Sequence, residues 1–121
     1  MAVITNERTG ETVEFTLETP ELLRMEVTWP RAGVRALRHA HPGMEETWEV
    51  FEARAAFEID GVLVEAGPGS RVAAPPGRSH LAWNPGDEVV RLRIEMRPAL
   101  RWAEFVRRLF SGEDGAALLQ E

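Results

Sequence analysis

The 121-residue chain contains no cysteine, no lysine and no tyrosine. Without cysteine there is no thiol nucleophile, no disulfide and no thiolate-bound metal, and without lysine no Schiff base can form. Any covalent or metal chemistry must therefore use histidine, glutamate, aspartate or hydroxyl groups. All 14 basic residues are arginine, a bias that we attribute to a GC-rich genome rather than to specialised anion recognition.

The chain also lacks long hydrophobic runs and excess positive charge. No segment approaches the roughly 18 apolar residues of a membrane span, and the N-terminus has no basic stretch followed by an apolar run. The net charge of -6 and the pI near 5.1 argue against a nucleic-acid partner, because that binding requires Lys and Arg to neutralise phosphates. We therefore expect a cytoplasmic, single-domain protein with neither a membrane nor a nucleic-acid partner.

Short alternating segments separated by turn signals predict an all-β sandwich or barrel over about residues 3–97. The clearest hairpin has Asp60-Gly61 as its two-residue turn. From Val90 to Met96 apolar and charged residues alternate, which predicts a half-buried antiparallel strand.

The C-terminal part of the chain has a different periodicity. Beyond Pro98, large apolar residues recur at helical spacing, namely Trp102, Phe105, Val106 and Leu109. This predicts one short amphipathic helix over about residues 98–111. We interpret its aromatic stripe as packing against the barrel or against a second subunit and, together with the apolar early strands, it favours a homodimer. Residues 112–121 are expected to be frayed.

Two histidines and a pair of glutamates in residues 36–51 suggest a metal site. His39 and His41 are two apart, so on a strand they share one face, together with Leu37. Two imidazoles at this spacing can converge on one ion. Either glutamate could join them. After the bend at Pro42-Gly43, parity favours Glu46, which shares a face with apolar residues, over Glu45, a solvated rim charge.

The third histidine, His80, follows a turn much further along the chain. A lone histidine on an apolar face is more often a core residue than a ligand. Three imidazole nitrogens and one carboxylate, however, would suit one first-row divalent ion, Zn, Fe, Mn, Ni or Cu, better than Mg or Ca. Four protein ligands would leave a position open if the ion takes five or six, which favours a reactive site.

Two segments resemble the sequence motifs of the cupin superfamily. Residues 33–53, GVRALRHAHPGMEETWEVFEA, resemble the first motif, G(x)5HxH(x)4E(x)6G, and residues 69–84, GSRVAAPPGRSHLAWN, fit the second, G(x)5PxG(x)2H(x)3N, at every defined position. The ending, residues 90–110, is similar to small bacterial single-domain cupins that close with a helix. Ala53 replaces the last glycine of the first motif and suggests a locally different turn.

The resemblance implies a double-stranded β-helix, or jelly-roll barrel, around one metal ion. It implies as metal ligands His39, His41, Glu46 and His80. It also implies a pocket opening at one end of the barrel, and candidate wall residues are Met44, Trp48, Val50, Phe57, Ala82, Trp83 and Leu92.

The scarcity of acid–base residues favours chemistry that relies on the metal. Proton transfer would fall to Glu46, the expected catalytic residue, to another carboxylate, or to metal-bound water. The leading hypothesis is a quercetinase-like dioxygenase acting on a small enol or hydroxy-carbonyl substrate. The alternatives are a non-redox isomerase, cyclase or decarboxylase, and a non-catalytic module that binds a small ligand.

Overall fold

The computed structural model describes residues 2–32 and 38–119. This part of the chain forms β-strands followed by two short helices. The strands are β1 (Val3–Thr5), β2 (Thr12–Glu18), β3 (Leu23–Trp29), β4 (Glu45–Glu52), β5 (Ala55–Ile59), β6 (Val62–Ala66), β7 (Arg71–Ala74), β8 (His80–Trp83) and β9 (Val90–Arg97), and the helices are α1 (Trp102–Phe110) and α2 (Gly115–Leu118).

The strands form two antiparallel sheets that enclose one hydrophobic core. The larger sheet has the order β1-β2-β3-β9-β4-β7, and the smaller has the order β6-β5-β8. The two inner faces meet where Trp48 on β4 packs against Phe57 on β5, with ring centroids 5.0 Å apart. The expected all-β jelly roll is therefore confirmed.

Strand alternation explains which face of the larger sheet is buried. Along β9, Val90, Leu92, Ile94 and Met96 are all buried, as the alternation predicts. The outer face carries cross-strand ion pairs, of which Arg24–Glu95 is 2.8 Å and Arg93–Glu26 is 3.0 Å. The apolar inner face is what holds the two sheets together.

Two turns contain residues with left-handed backbone. At Asp60-Gly61 both φ angles are positive, 52° and 79°, as the predicted two-residue hairpin turn requires. Ala53 also has a positive φ of 63°. The expectation of a different turn at Ala53 is wrong: the chain keeps the left-handed conformation that favours glycine.

The C-terminal segment is more ordered than expected. The predicted helix is present, but it begins at Trp102 and ends at Phe110. The tail expected to be frayed contains α2, whose first turn is capped by Asp114: the Ala116 amide donates to its carboxylate at 2.9 Å. Leu118 is buried, so apolar packing adds to the cap. Neither helix is long and apolar enough to cross a membrane, within the part of the chain described.

Candidate metal centre

Backbone pairing brings the three histidines together from distant parts of the sequence. His39 and His80 form an isolated antiparallel bridge, in which each amide donates to the other's carbonyl, at 3.0 and 2.8 Å. The carbonyl of His41 accepts a hydrogen bond from the Gly77 amide at 2.8 Å. The turn that precedes β8 is thereby tied to the turn that precedes β4. Leu37, expected to face inward with the histidines, lies outside the described residues.

Four potential ligand side chains converge at this point: His39, His41, Glu46 and His80. We call these four residues the His/Glu cluster. Each offers one ligand atom, and these atoms all lie within 4.8 Å of one another. His41, Glu46 and His80 are buried. The Nε2 atoms of His41 and His80 lie 3.1 and 3.0 Å from the same Glu46 oxygen, Oε1.

The orientation of the His80 ring is fixed by a contact outside the His/Glu cluster. Its Nδ1 lies 3.0 Å from the Arg78 carbonyl oxygen and donates a hydrogen bond to it. Nε2 is therefore directed towards Glu46. A histidine that binds metal through one nitrogen usually donates its other N–H to such an acceptor.

Charge within the His/Glu cluster is strongly coupled. Burial alone would raise the pKa of Glu46, but hydrogen bonds from His41 and His80 outweigh it and hold that pKa at about 2. Burial alone would lower the pKa of His80, but its hydrogen bond to Glu46 and the charge of that carboxylate raise it. A divalent cation would replace these contacts at the same nitrogen and oxygen atoms, because a ligating imidazole nitrogen carries no proton.

The donor set fits a first-row divalent ion. Imidazole nitrogens with one carboxylate suit Zn, Fe, Mn, Ni or Cu, whereas Mg and Ca prefer sites made of oxygen. The His/Glu cluster is thus able to bind a metal, and its chemistry leaves the choice among these ions open.

A cavity of about 370 Å³ adjoins the His/Glu cluster. We call it the long cavity. Its lining comes from β2, β3, β4, β8 and β9, from α1 and α2, and from the turn between β1 and β2. Most of the lining is apolar, including Trp29, Trp48, Ala82, Ile94, Phe105 and Leu109. A pocket of this size with few polar groups is typical of small-molecule sites.

Some of the expected wall residues line a cavity and the others do not. Trp48 and Ala82 line the long cavity, and Met44 lines a second cavity of about 230 Å³ beside His41. The others line neither cavity: Val50, Phe57 and Leu92 are core residues, and Trp83 is half-buried. Alternation gives the face of a strand but not the depth at which a residue lies along it.

Sequence reasoning missed the part that α1 plays at this site. The Trp102 ring stacks on His39, with centroids 5.4 Å apart and planes at 19°, and meets the His41 ring edge-on at 4.4 Å. Phe105 in turn stacks on the Trp102 ring, with ring centroids 4.3 Å apart. The helical stripe was visible in the sequence, but nothing local indicated that it covers two candidate ligands.

Solved structures with the same fold include several small proteins. KdgF from a Halomonas species has 18% identity and a TM-score of 0.67, and the match covers 80% of this chain and 94% of that one. An RmlC-like cupin from Shewanella frigidimarina has 21% identity and a TM-score of 0.72, over 83% and 86%. A structure from Silicibacter pomeroyi described as a sugar phosphate isomerase from a cupin superfamily has 21% identity and a TM-score of 0.63, over 73% and 59%.

These identities are all below 25%, so the likeness establishes the fold alone. No curated protein sequence matches the chain significantly. The sequence pattern of the family described as Cupin domain, however, matches residues 25–96. That segment is more than half of the chain and contains every residue of the His/Glu cluster. The chain therefore belongs to the cupin family.

Proposed function

We propose that the protein is a metal-dependent cupin that acts on a small organic molecule. The observation that carries this proposal is the convergence of the four ligand atoms of the His/Glu cluster within 4.8 Å, beside an apolar cavity. The His/Glu cluster would hold one divalent ion of Fe, Mn, Ni, Zn or Cu. Such an ion supplies a Lewis-acid position at which an enol or hydroxy-carbonyl group can chelate.

The reaction that we propose is a quercetinase-like dioxygenation. Glu46 Oε1 accepts the proton of the substrate's enol. Glu46 would be a weakly held ligand of the ion, so its carboxylate could leave the ion to take this proton, and chelation to the ion would make the substrate's enol more acidic. Trp102 and the apolar walls keep water from the reacting group.

The distribution of titratable groups supports chemistry centred on the His/Glu cluster. Among the described residues that line the long cavity, the remaining titratable side chains are Arg8, Glu11 and Asp114. All three belong to the chain segments at the far end of α1. Among the described residues no second acid or base lines the cavity next to the cluster, so Glu46 is the proton acceptor available there.

Non-redox isomerisation, cyclisation or decarboxylation is the second candidate. It is favoured by the same cluster, because a Lewis acid can polarise a carbonyl without an oxidant. A phosphorylated substrate is a poorer fit, since Arg8 is the only arginine among the described cavity-lining residues and lies far from the cluster. A module that binds a small ligand without turnover is the third.

The test is metal content followed by oxygen uptake. Protein purified without chelators is analysed for metal and then assayed on a panel of enolic and hydroxy-carbonyl compounds. Dioxygenation predicts stoichiometric metal and oxygen consumption that Glu46→Gln abolishes. Turnover that persists without oxygen would support the non-redox candidate. Ligand binding without any turnover would support the third.

Homodimerisation and a cytoplasmic location remain predictions. The aromatic stripe of α1, which motivated the dimer, lines the long cavity instead. The apolar residues that remain exposed include Val62 and Leu63 on β6, at 62% and 63%. β6 is an edge strand of the smaller sheet and is where we expect a subunit contact. A monomer by light scattering at micromolar concentration would contradict this expectation.

A further inference from the structure

The long cavity has a second polar end, formed by the turn between β1 and β2. We call residues 6–11 the Asn6 turn. The Asn6 amide donates to the Glu11 carbonyl at 2.8 Å, and its carbonyl accepts from the Gly10 amide at 2.7 Å. Its side-chain oxygen accepts from the Arg8 amide at 3.0 Å. The turn is therefore held by its own hydrogen bonds, and Arg8, Thr9 and Glu11 all line the long cavity.

The Asn6 turn lies far from the His/Glu cluster, and the length of α1 gives an estimate of the distance between them. Trp102, at the start of α1, contacts His39 and His41. Arg8 Nη2 donates to the carbonyl of Gly112, just beyond the helix end, at 2.6 Å. At about 1.5 Å per helical residue, Trp102 and Gly112 are roughly 15 Å apart. The cavity therefore has two polar ends with apolar walls between them.

Glu11 is the most buried of the three charged residues that line this end, since it is half-buried whereas Arg8 and Asp114 are exposed. It continues the inward face of β2, two residues before Val13. Burial raises the pKa of its carboxyl, and a hydrogen bond from Thr9 offsets this only in part. No described cation lies within ion-pair distance of Glu11: Arg8, on the same turn, donates to a backbone carbonyl instead. A half-buried carboxylate of this kind is stabilised by a donor that enters the cavity.

We propose that Glu11 is a second recognition group, which binds a hydrogen-bond donor, best a protonated amine, at the far end of an elongated ligand. The near end of the same ligand reaches the His/Glu cluster, so this inference rests on the proposed function. The local charge agrees, because Glu11 and Asp114 outnumber Arg8 among the charged residues that line this end. The same excess of negative charge disfavours a ligand with a carboxylate at its far end.

Three eight-carbon hydroxamates that differ only in the distal group test the proposal. They end in an ammonium (8-aminooctanohydroxamic acid), a methyl group (octanohydroxamic acid) or a carboxylate (suberic acid monohydroxamate). Affinity for the zinc-loaded protein is measured by calorimetry. We expect the ammonium compound to bind about tenfold more tightly than the methyl compound, as for a charge-assisted hydrogen bond, and the carboxylate compound to bind most weakly.

Glu11→Gln is the decisive variant, and Glu7→Gln is its matched control. Glu7 is an exposed glutamate of the same turn that does not line the long cavity. We expect Glu11→Gln to abolish the ammonium preference and Glu7→Gln to keep it. Equal affinity for the three compounds, a preference for the carboxylate compound, or an unchanged preference in Glu11→Gln would overturn the proposal. Thermal unfolding of both variants checks that they are folded.

A second pair of probes separates this proposal from the metal proposal. Octylamine and octanoate have no chelating group, and they are titrated into the protein in the presence of EDTA. If zinc does not bind, the proposed function fails. Glu11-dependent preference for octylamine over octanoate would then still support recognition by Glu11, and its absence would refute it.

Discussion

Metal binding by the His/Glu cluster should depend steeply on pH, and the histidines rather than the carboxylate should set that dependence. A ligating imidazole must be neutral, so each bound proton competes with the metal. The carboxylate of Glu46, with its pKa held at about 2, stays ionised throughout the accessible range. Glu46 therefore contributes no pH dependence above about pH 3.

The number of imidazoles gives the size of the effect. Where all three are protonated, each unit of acidification weakens the metal affinity by about 1,000-fold, since three protons must leave. This equals about 4 kcal/mol per pH unit. Because Glu46 raises the pKa of His80, competition from this proton begins above the ordinary histidine value of about 6.5. The metal affinity should therefore begin to fall at a pH above about 6.5.

Competition with a chromophoric chelator measures the zinc affinity between pH 5 and 8. Calorimetry in two buffers of different ionisation enthalpy counts the protons released. Glu46→Gln provides a control with a distinct expectation: without the carboxylate charge, the pKa of His80 is no longer raised, so its competition begins at lower pH. An affinity that is flat from pH 5.5 to 7.5, or that first falls near pH 4.5, would refute the assignment of three histidine ligands.

Three further predictions concern neighbouring parts of the structure. Trp102→Ala removes the ring that packs on two candidate ligands, His39 and His41, so zinc affinity should fall about tenfold. Trp83→Ala, outside the cavity, should leave the affinity unchanged in the same competition assay. Ala53 has a left-handed backbone, which glycine adopts at less cost, so Ala53→Gly should raise the free energy of unfolding in urea by about 0.5 kcal/mol. Ala73→Gly, on a strand, should lower it. In EDTA, the lowered pKa of Glu46 and the raised pKa of His80 imply stability that is complete between about pH 4.5 and 6.5 and lost as the pH falls towards 2. Urea unfolding should detect this loss at low pH, and Glu46→Gln should lack it.

Alternation was sufficient to predict which way most strand residues face. It distinguished Glu46 from Glu45: the first is buried and the second is only half-buried. It also identified the inward face of β9 correctly. This works because neighbouring side chains on a strand point to opposite faces, whatever the rest of the fold does.

Alternation does not reveal position along the barrel, and this explains the expected wall residues that line no cavity. Val50 and Leu92 face inward, as predicted, but they pair directly with each other across β4 and β9. Trp48, two residues earlier and on the same face, lines the long cavity. Which rows of inward residues are filled by core packing depends on the opposite sheet and on α1, and therefore on tertiary structure.

The two ends of the long cavity also show what the sequence pattern can and cannot predict. Extending the inward face of β2 back from Val13 places Glu11 inside, so this residue was within reach of the sequence pattern. The pattern does not show that residues far apart in the sequence close the cavity. Arg8 meets the Gly112 carbonyl across a separation of 104 residues, and Trp102 reaches the histidines from the opposite end of α1. The amphipathic pattern of α1 required an apolar partner surface but did not specify which one. In the folded chain this stripe lines the long cavity together with strands of the barrel, so a pattern that resembled simple packing forms one wall of the cavity beside the His/Glu cluster.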